Sequence, residues 1–336
     1  MAEEHFHSIK ELKSFRLMKF HRSASDKGLA FVKVKSLDLP LCRLLQKVRS
    51  RYILATSECY YNSPEDIDNI AAMSEYFDFH IVSCNSIGDA IVKKAPGTKY
   101  AVVGAGEFLT SPDIFRLQNT KTRNTDFVAS ANSFWALKNF HKVLEMQKHL
   151  NVKGFATKSK IICGSIKDKW YYNECQSYIN KHLRGQAEIV IGSDMDALRN
   201  TYNDSRFLVH LSSVDSSPRV VFEALLCGCH CILSGSWTES LNSWLASPLV
   251  HVVSEDPASV IPLLSLPPDY KKSQQYHGQI GMRNIFPRIS SYIQSYIQPT
   301  FSDKDVIDQS CVGKITFKQM EDRYSAEMKL IQRMIK

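Results

Sequence analysis

The sequence lacks most of the short motifs that mark nucleotide or hydrolase chemistry. No GxxxxGKS or GxxxxGKT stretch occurs, so a phosphate loop of that kind is excluded. The pair Gly104-x-Gly106 lacks the later glycine of the dinucleotide fingerprint. There is no GxSxG elbow and no HExxH pair. The nine cysteines are scattered without paired spacing, which argues against a disulfide framework. No apolar run is long enough to span a membrane. The opening stretch MAEEHFHSIKELK is charged and has no apolar core, unlike a secretory signal. We therefore expect an intracellular, cytoplasmic chain with reduced thiols. Short-period repeats and low-complexity tracts are absent, and nothing sets an oligomeric state.

What is present is an ordinary globular composition. The chain has 336 residues, 44% hydrophobic and 23% charged, enough for two domains. Its net charge of +8 is uneven. Residues 1–51 hold twelve Lys or Arg against five Asp or Glu, which accounts for +7. A basic face of this kind suits an acidic partner such as DNA or an anionic membrane, or is simply a solvated lysine-rich surface.

The apolar pattern alternates strand and helix. Strands are expected at 30–34, 52–56, 80–83 and 100–103, with helices over 39–48, 64–77 and 86–94. The stretch 9–20 reads as a helix or an edge element. Residues 107–125 are polar and irregular and read as a connection between domains. The alternation then restarts. Strands are expected at 126–130, 159–163 (ending at Gly164), 187–191, 206–211, 230–234 and 251–253. Helices are expected at 136–150, 169–183, 195–203, 257–264, 276–298 and 314–336. The expectation is two α/β units in tandem, 1–122 and 123–313, with 314–336 packing back on the first. Each carries a parallel sheet flanked by helices, and the two face a central cleft.

One stretch concentrates the candidate chemistry: 209–235, VHLSSVDSSPRVVFEALLCGCHCILSG. It reads as strand, polar loop, helix, turn and strand. Ser216 or Ser217 suits the helix cap, and Pro218 the first helical position. Gly228 is placed to end the helix. A helix start presents unpaired N–H groups to an anion, and here it stands between two acids, Asp215 and Glu223. Each acid has a plainer reading. Asp215 is equally an Asx-type loop residue, and Glu223 an acid favoured by the helix dipole. Cys227, Cys229 and Cys231 do not form the Cys-x2–4-Cys pairs of structural zinc and read as buried thiols. The paired aromatics Tyr60–Tyr61 and Tyr171–Tyr172 read as packing or cleft walls.

The string SSVDSSPRVVFEALLCGCHCILSG resembles the signature of retaining glycosyltransferases of the two-Rossmann GT-B fold, family four, in which an acid is followed after seven residues by a glutamate. Asp215 and Glu223 match that spacing, although the first acid of the family is more often glutamate. The stretch 126–150, DFVASANSFWALKNFHKVLEMQKHL, resembles the first strand and helix of the family's donor domain. Lys138-Asn139 fits its lysine position, but Ser133 stands where the family has arginine. The stretch 80–115 resembles the end of the acceptor domain. For the acceptor-domain histidine the one candidate is His21, and an ordinary surface or core histidine is the favoured reading.

The resemblance implies a hexosyl transfer from a nucleotide-diphosphate sugar, UDP- or GDP-linked, with retention and without a metal or other cofactor. Lys138 and the helix start near Ser217 would meet the diphosphate, and Glu223 the donor ribose. Asp215 and the amides around Ser216 would hold the sugar, and Gly192, Ser193 and Asp194 would lie near the base. Gly104 and Gly106 would approach the donor across the cleft. Arg219 would compensate for the charge missing at Ser133, or is an exposed residue of the first helical turn. The acceptor is left open among a glycan, a lipid-linked sugar, a small molecule and DNA, the last through residues 1–51. The competing reading is a catalytically degenerate binding or scaffold protein on the same fold.

Overall fold

Short β-branched runs separated by amphipathic stretches fold here as parallel strands joined by helices. The computed structural model describes residues 28–32, 52–57 and 64–284, except 103, 105, 108–109, 119–121, 214, 216–217, 236–240, 242–243 and 282–283. His21, Ser216, Ser217 and the segments 9–20, 39–48 and 314–336 lie outside the described residues. Compact packing divides the chain between Ala105 and Gly106, the second unit running to Asn284.

The first unit holds β1 (Gly28–Val32), β2 (Tyr52–Ser57), α1 (Pro64–Met73), β3 (Phe79–Val82), α2 (Asn85–Lys94) and β4 (Tyr100–Val102). Its strands pair in the order β1-β2-β3-β4, all parallel. Ile70, Phe77, Ile81, Val82, Ile91 and Ala101 are buried, and so is His80, whose ring lies 5.8 Å from that of Phe77. The Ser74 hydroxyl donates to the Ile70 carbonyl, so the contact between Ser74 Oγ and His80 Nε2 at 3.0 Å requires the imidazole to donate. Burial pushes the His80 pKa down to about 4. The unfolded chain therefore takes up this proton near pH 6.5 and the folded chain only near pH 4. Stability from neutral His80 is present above pH 6.5 and is lost as pH falls through 4, by about 3 kcal/mol. Thermal unfolding at pH 7 and pH 4.5 should show this loss, and His80→Gln should flatten it.

The second unit holds β5 (Thr125–Phe134), α3 (Phe140–Val152), β6 (Ser159–Ile166), α4 (Lys169–His182) and β7 (Ala187–Ile191). Then follow α5 (Met195–Asp204), β8 (Ser205–His210), α6 (Arg219–Leu226), β9 (His230–Ser234), β10 (Val250–Val253) and α7 (Tyr270–Tyr276). Its strand order, β10-β9-β8-β5-β6-β7, is parallel throughout. Counted from the first strand of this unit, that is the doubly wound 3-2-1-4-5-6 pattern. Two apolar clusters flank the sheet. One gathers Phe222, Leu225, Cys227, Trp244 and Tyr276, the other Phe134, Phe140, Leu144, Ile161 and Tyr171.

Several expectations are corrected. The stretch 107–125 was expected to link domains, with a boundary at 122/123, yet its described residues pack into the second unit. Phe115 is buried against Tyr202, with ring centroids 6.0 Å apart. The Gln118 amide donates to Asn203 Oδ1 at 2.7 Å. Arg123 donates to the Ser205 and Cys227 carbonyls, capping the end of α6. The helix expected over 136–150 is broken. A 3-10 turn at Ala136–Lys138 ends on Asn139 at φ 52°, and α3 starts only at Phe140. β6 does not stop at Gly164 but runs to Ile166, because a Cβ at 164 would stand 2.9 Å from the Asn132 carbonyl and glycine has none. The helix expected over 276–298 does not start at Tyr276, where α7 ends instead, with Ser273 Oγ bonded to the Leu225 and Leu226 carbonyls and Gly278 two residues on; residues 285–298 lie outside the described residues. The segment expected as a helix at 257–264 is 3-10, Pro257–Ser265, with Pro262 inside it. No helix among the described residues is long and apolar enough to cross a membrane.

Candidate functional site

In a doubly wound sheet the connections leave in opposite directions where the order reverses, and that opens a crevice at the carboxyl ends of the strands. Here the reversal lies between β5 and β8. The residues following these two strands are Trp135–Asn139 and 211–218, and they carry Lys138 and Asp215. The two connections are bound to each other. Asn139 Nδ2 donates to the Leu211 carbonyl at 2.9 Å. The Leu137 carbonyl accepts from Ser212 Oγ at 3.0 Å and from the Ser213 amide at 3.1 Å. These bonds account for the break at Asn139. A left-handed residue, which asparagine tolerates, turns its carboxamide back to the β8 loop.

The result is an ion pair, Lys138 Nζ to Asp215 Oδ2 at 2.7 Å, with the side chains 22% and 16% exposed. His210, the last residue of β8 and buried, places Nε2 3.1 Å from the same oxygen. Burial opposes the Asp215 charge, but the hydrogen bond and charge of His210, with the charge of Lys138, outweigh it and hold the carboxyl well below the usual range. Asp215 is thus a fixed carboxylate at all ordinary pH.

Glu223 lies inside α6, 1% exposed. Its Oε2 accepts from the Tyr202 hydroxyl at 3.3 Å, and Oε1 stands 2.9 Å from Arg219 Nε one helical turn earlier. The Arg219 N–H is not aligned for a hydrogen bond, so among the described residues Oε1 has an ion-pair partner but no directed donor. Burial raises the Glu223 pKa, only partly offset by Arg219 and Tyr202. Arg219 itself is half exposed and turned to Glu223. The helix starts at Arg219 with Pro218 in the cap position, one residue later than expected, and Pro218 itself offers no side-chain cap. Its end is as expected. Gly228 is at φ +80°, its amide bonds to the Leu225 carbonyl, and the Cys229 amide to that of Ala224, a Schellman closure.

The other candidates are spread along the sheet. Ser133 sits near the end of β5, its hydroxyl 2.9 Å from that of Ser165 on β6, and supplies no charge. Gly192 and Ser193 follow β7, two strands away from β5, with Gly192 at φ +80° and its amide bonded to the Cys163 carbonyl. The Ser193 hydroxyl is buried without a partner among the described residues, and Asp194 caps α5 through the Ala197 amide. Gly104 falls in the first unit and Gly106 in the second, both buried. The Gly106 carbonyl accepts from Thr110 Oγ1 at 2.7 Å. Cys227, Cys229 and Cys231 are fully buried, and burial raises all three thiols. Among the described residues no group of three His, Cys, Asp or Glu could hold a metal ion.

Sequence reasoning missed His210, Tyr202 and Ser130. His210 had a visible signal, a polar residue directly after the apolar run 207–209 and five places before Asp215. Tyr202 and Ser130 had none, because α5 and β5 bring them to Glu223 from 21 and 93 positions away in sequence.

The fold is of the GT-B class, with parallel sheets in two Rossmann-like units. Among solved structures the chain is similar to pneumococcal O-GlcNAc transferase GtfA in complex with UDP and GlcNAc. The TM-score is 0.60 at 12% identity, covering 80% of this chain and 57% of that one. It is similar also to Anabaena Alr3699/HepE in complex with UDP and glucose, with TM-score 0.61 at 12% identity, over 79% of this chain and 78% of that one. Sucrose-phosphate synthase from Thermosynechococcus elongatus gives a TM-score of 0.57 at 12% identity, over 80% and 73%. No family model and no curated protein sequence matches the chain.

Proposed function

We propose that this protein is a glycosyltransferase that moves a sugar from a nucleotide-diphosphate donor to an acceptor. The observation that carries the reading is the presence of Asp215, fixed as a carboxylate beside Lys138, and of Glu223, a buried carboxylate one of whose oxygens has no directed donor among the described residues. Asp215 lies in the loop after β8, at the switch point of the second sheet, and Glu223 on the helix that this loop leads into. Donor cleavage leaves negative charge on a diphosphate, and preorganised positive groups aimed at developing charge are commonly the largest catalytic contribution. Lys138 is such a group. In this reading a diphosphate displaces Asp215 as its partner, and Asp215 turns to the hydroxyls of the transferred sugar. Glu223 accepts from the donor ribose. Gly192 and Ser193 border the base, and Ser216 and Ser217 bring backbone amides to the sugar. Arg219 reaches phosphate only by leaving Glu223, so it is the weaker substitute for the arginine replaced by Ser133.

The second unit is the donor domain and the first, with Gly104 at its end, the acceptor side. UDP is the favoured nucleotide, since two of the similar proteins were solved with it, and GDP the alternative. Retention, metal independence and kinship with family four are part of the proposal, supported by the Asp215–x7–Glu223 spacing. The acceptor is a glycan, a lipid-linked sugar, a small molecule or DNA, the last resting on the basic residues 1–51. The degenerate scaffold remains a second reading because Ser133 supplies no charge at the arginine position.

The test is calorimetric titration with UDP and GDP, followed by nucleotide release from a panel of UDP- and GDP-sugars in EDTA. The expected result is saturable binding of one nucleotide and metal-free turnover of one donor. Binding without turnover of any donor would establish the scaffold. Absence of both in folded protein sinks the donor reading.

A further inference from the structure

We infer that Tyr202 is the positioning residue of Glu223, holding one carboxylate oxygen so that the other is presented to a ligand hydroxyl. The functional consequence rests on the donor reading above, while the link between the two side chains does not. Three elements meet at this point. Ser130 on β5, Tyr202 on α5 and Glu223 on α6 are all buried. Ser130 Oγ and the Tyr202 hydroxyl are 2.5 Å apart. The Tyr202 hydroxyl stands 3.3 Å from Glu223 Oε2. A phenol has one proton to give and an oxygen to accept with. An ionised carboxylate only accepts, so Tyr202 donates to Glu223 and its oxygen accepts from Ser130. The relay runs in one direction, Ser130 to Tyr202 to Glu223.

This direction matters because the carboxylate is otherwise poorly supported. Oε1 faces Arg219 without a directed N–H. Among the described residues the Tyr202 bond is therefore the aligned hydrogen bond that fixes the carboxylate's rotation. With Oε2 tied down, Oε1 is left as an acceptor with directional capacity, the property a ribose diol requires. Tyr202 cannot itself ionise to reverse the arrangement, since burial and the neighbouring Glu223 charge raise its pKa far above the ordinary value. The ring is locked independently by Phe115, so removing the oxygen alone leaves the packing in place. The titratable and charged groups facing Glu223 are Arg219 on its own helix, Tyr202 on α5, and Cys227 at the helix end.

The test uses the full chain with 13C-carboxyl-labelled glutamate, with Glu223→Gln identifying the resonance. In Tyr202→Phe the Glu223 titration should move upward by about one pH unit, because a donor to the charged form is lost. UDP or GDP affinity should fall about fivefold at pH 7, and the loss should deepen at lower pH. Ser130→Ala should give a smaller shift of the same sign and replaces Tyr202→Phe if that variant does not fold. A merely structural tyrosine would lower the melting temperature and leave the Glu223 titration where it is. An unchanged titration in the folded variant overturns the inference. A shifted titration with no nucleotide binding in either protein overturns the donor reading and leaves the Tyr202–Glu223 link standing.

Discussion

Glu223→Gln should weaken donor-nucleotide binding by about 10- to 100-fold while leaving the protein as stable as before or more so. The two effects have one cause. A hydrogen bond to a charged acceptor is worth about 1.5–3 kcal/mol, and about 1.4 kcal/mol is a factor of ten in affinity. Gln keeps the shape and one acceptor oxygen but loses the charge and turns an N–H toward whatever Oε1 or Oε2 faced. Stability moves the other way. Glu223 is 1% exposed and burial raises its pKa, so the ionised form at neutral pH is held at a cost to folding. A raised carboxyl pKa contributes stability below the unfolded value, and that contribution is lost as pH rises through the folded one. The Gln variant should therefore melt above the wild type at pH 7, with the gap closing below about pH 4.5. Calorimetric titration with UDP and GDP, and melting curves at the two pH values, read both arms. Unchanged affinity with raised stability would make Glu223 a buried acid with no ligand role.

Lys138→Met should abolish most turnover and also destabilise, which separates it from Glu223→Gln. Removing one preorganised donor to a developing anion costs on the order of 100- to 1,000-fold in rate. Asp215 would then keep only His210 as an aligned partner among its described contacts at Oδ2. The pair is partly exposed, 22% and 16%, so the stability loss should fall between the exposed and the buried limits, about 2 kcal/mol. The double variant Lys138→Met with Asp215→Asn should recover part of that stability, since the partly buried charge that lost its lysine is removed as well, and should recover no turnover. Equal losses in the single and double variants would mean that Lys138 and Asp215 are not coupled. Retained turnover in Lys138→Met would move the phosphate role to Arg219.

Much of the fold was legible because parallel strands are short, apolar and bounded by helix starts and glycines. Gly228 ended α6 as its position demanded, and the 230–234 strand followed on schedule. The failures have a common physical source. The 136–150 stretch has helical spacing throughout, and the break is explained by the bonds that tie Leu137 and Asn139 to the loop after β8, distant in sequence. The 107–118 stretch reads as polar linker because Phe115 finds its burial against Tyr202, which local pattern does not reveal.

The same division holds at the site. The sequence by itself determined the two acids, their spacing, the lysine, the helix that carries Glu223 and the missing charge at Ser133, because these are covalent facts. Only the tertiary structure decided what state each acid is in. Asp215 is an anion because β5 and β8 lie side by side and bring Lys138 and His210 to one oxygen. Glu223 is buried and oriented because α5 supplies Tyr202. Ionisation depends on solvation and on charges within a few ångströms, and these are set by strand order and helix packing rather than by distance along the chain.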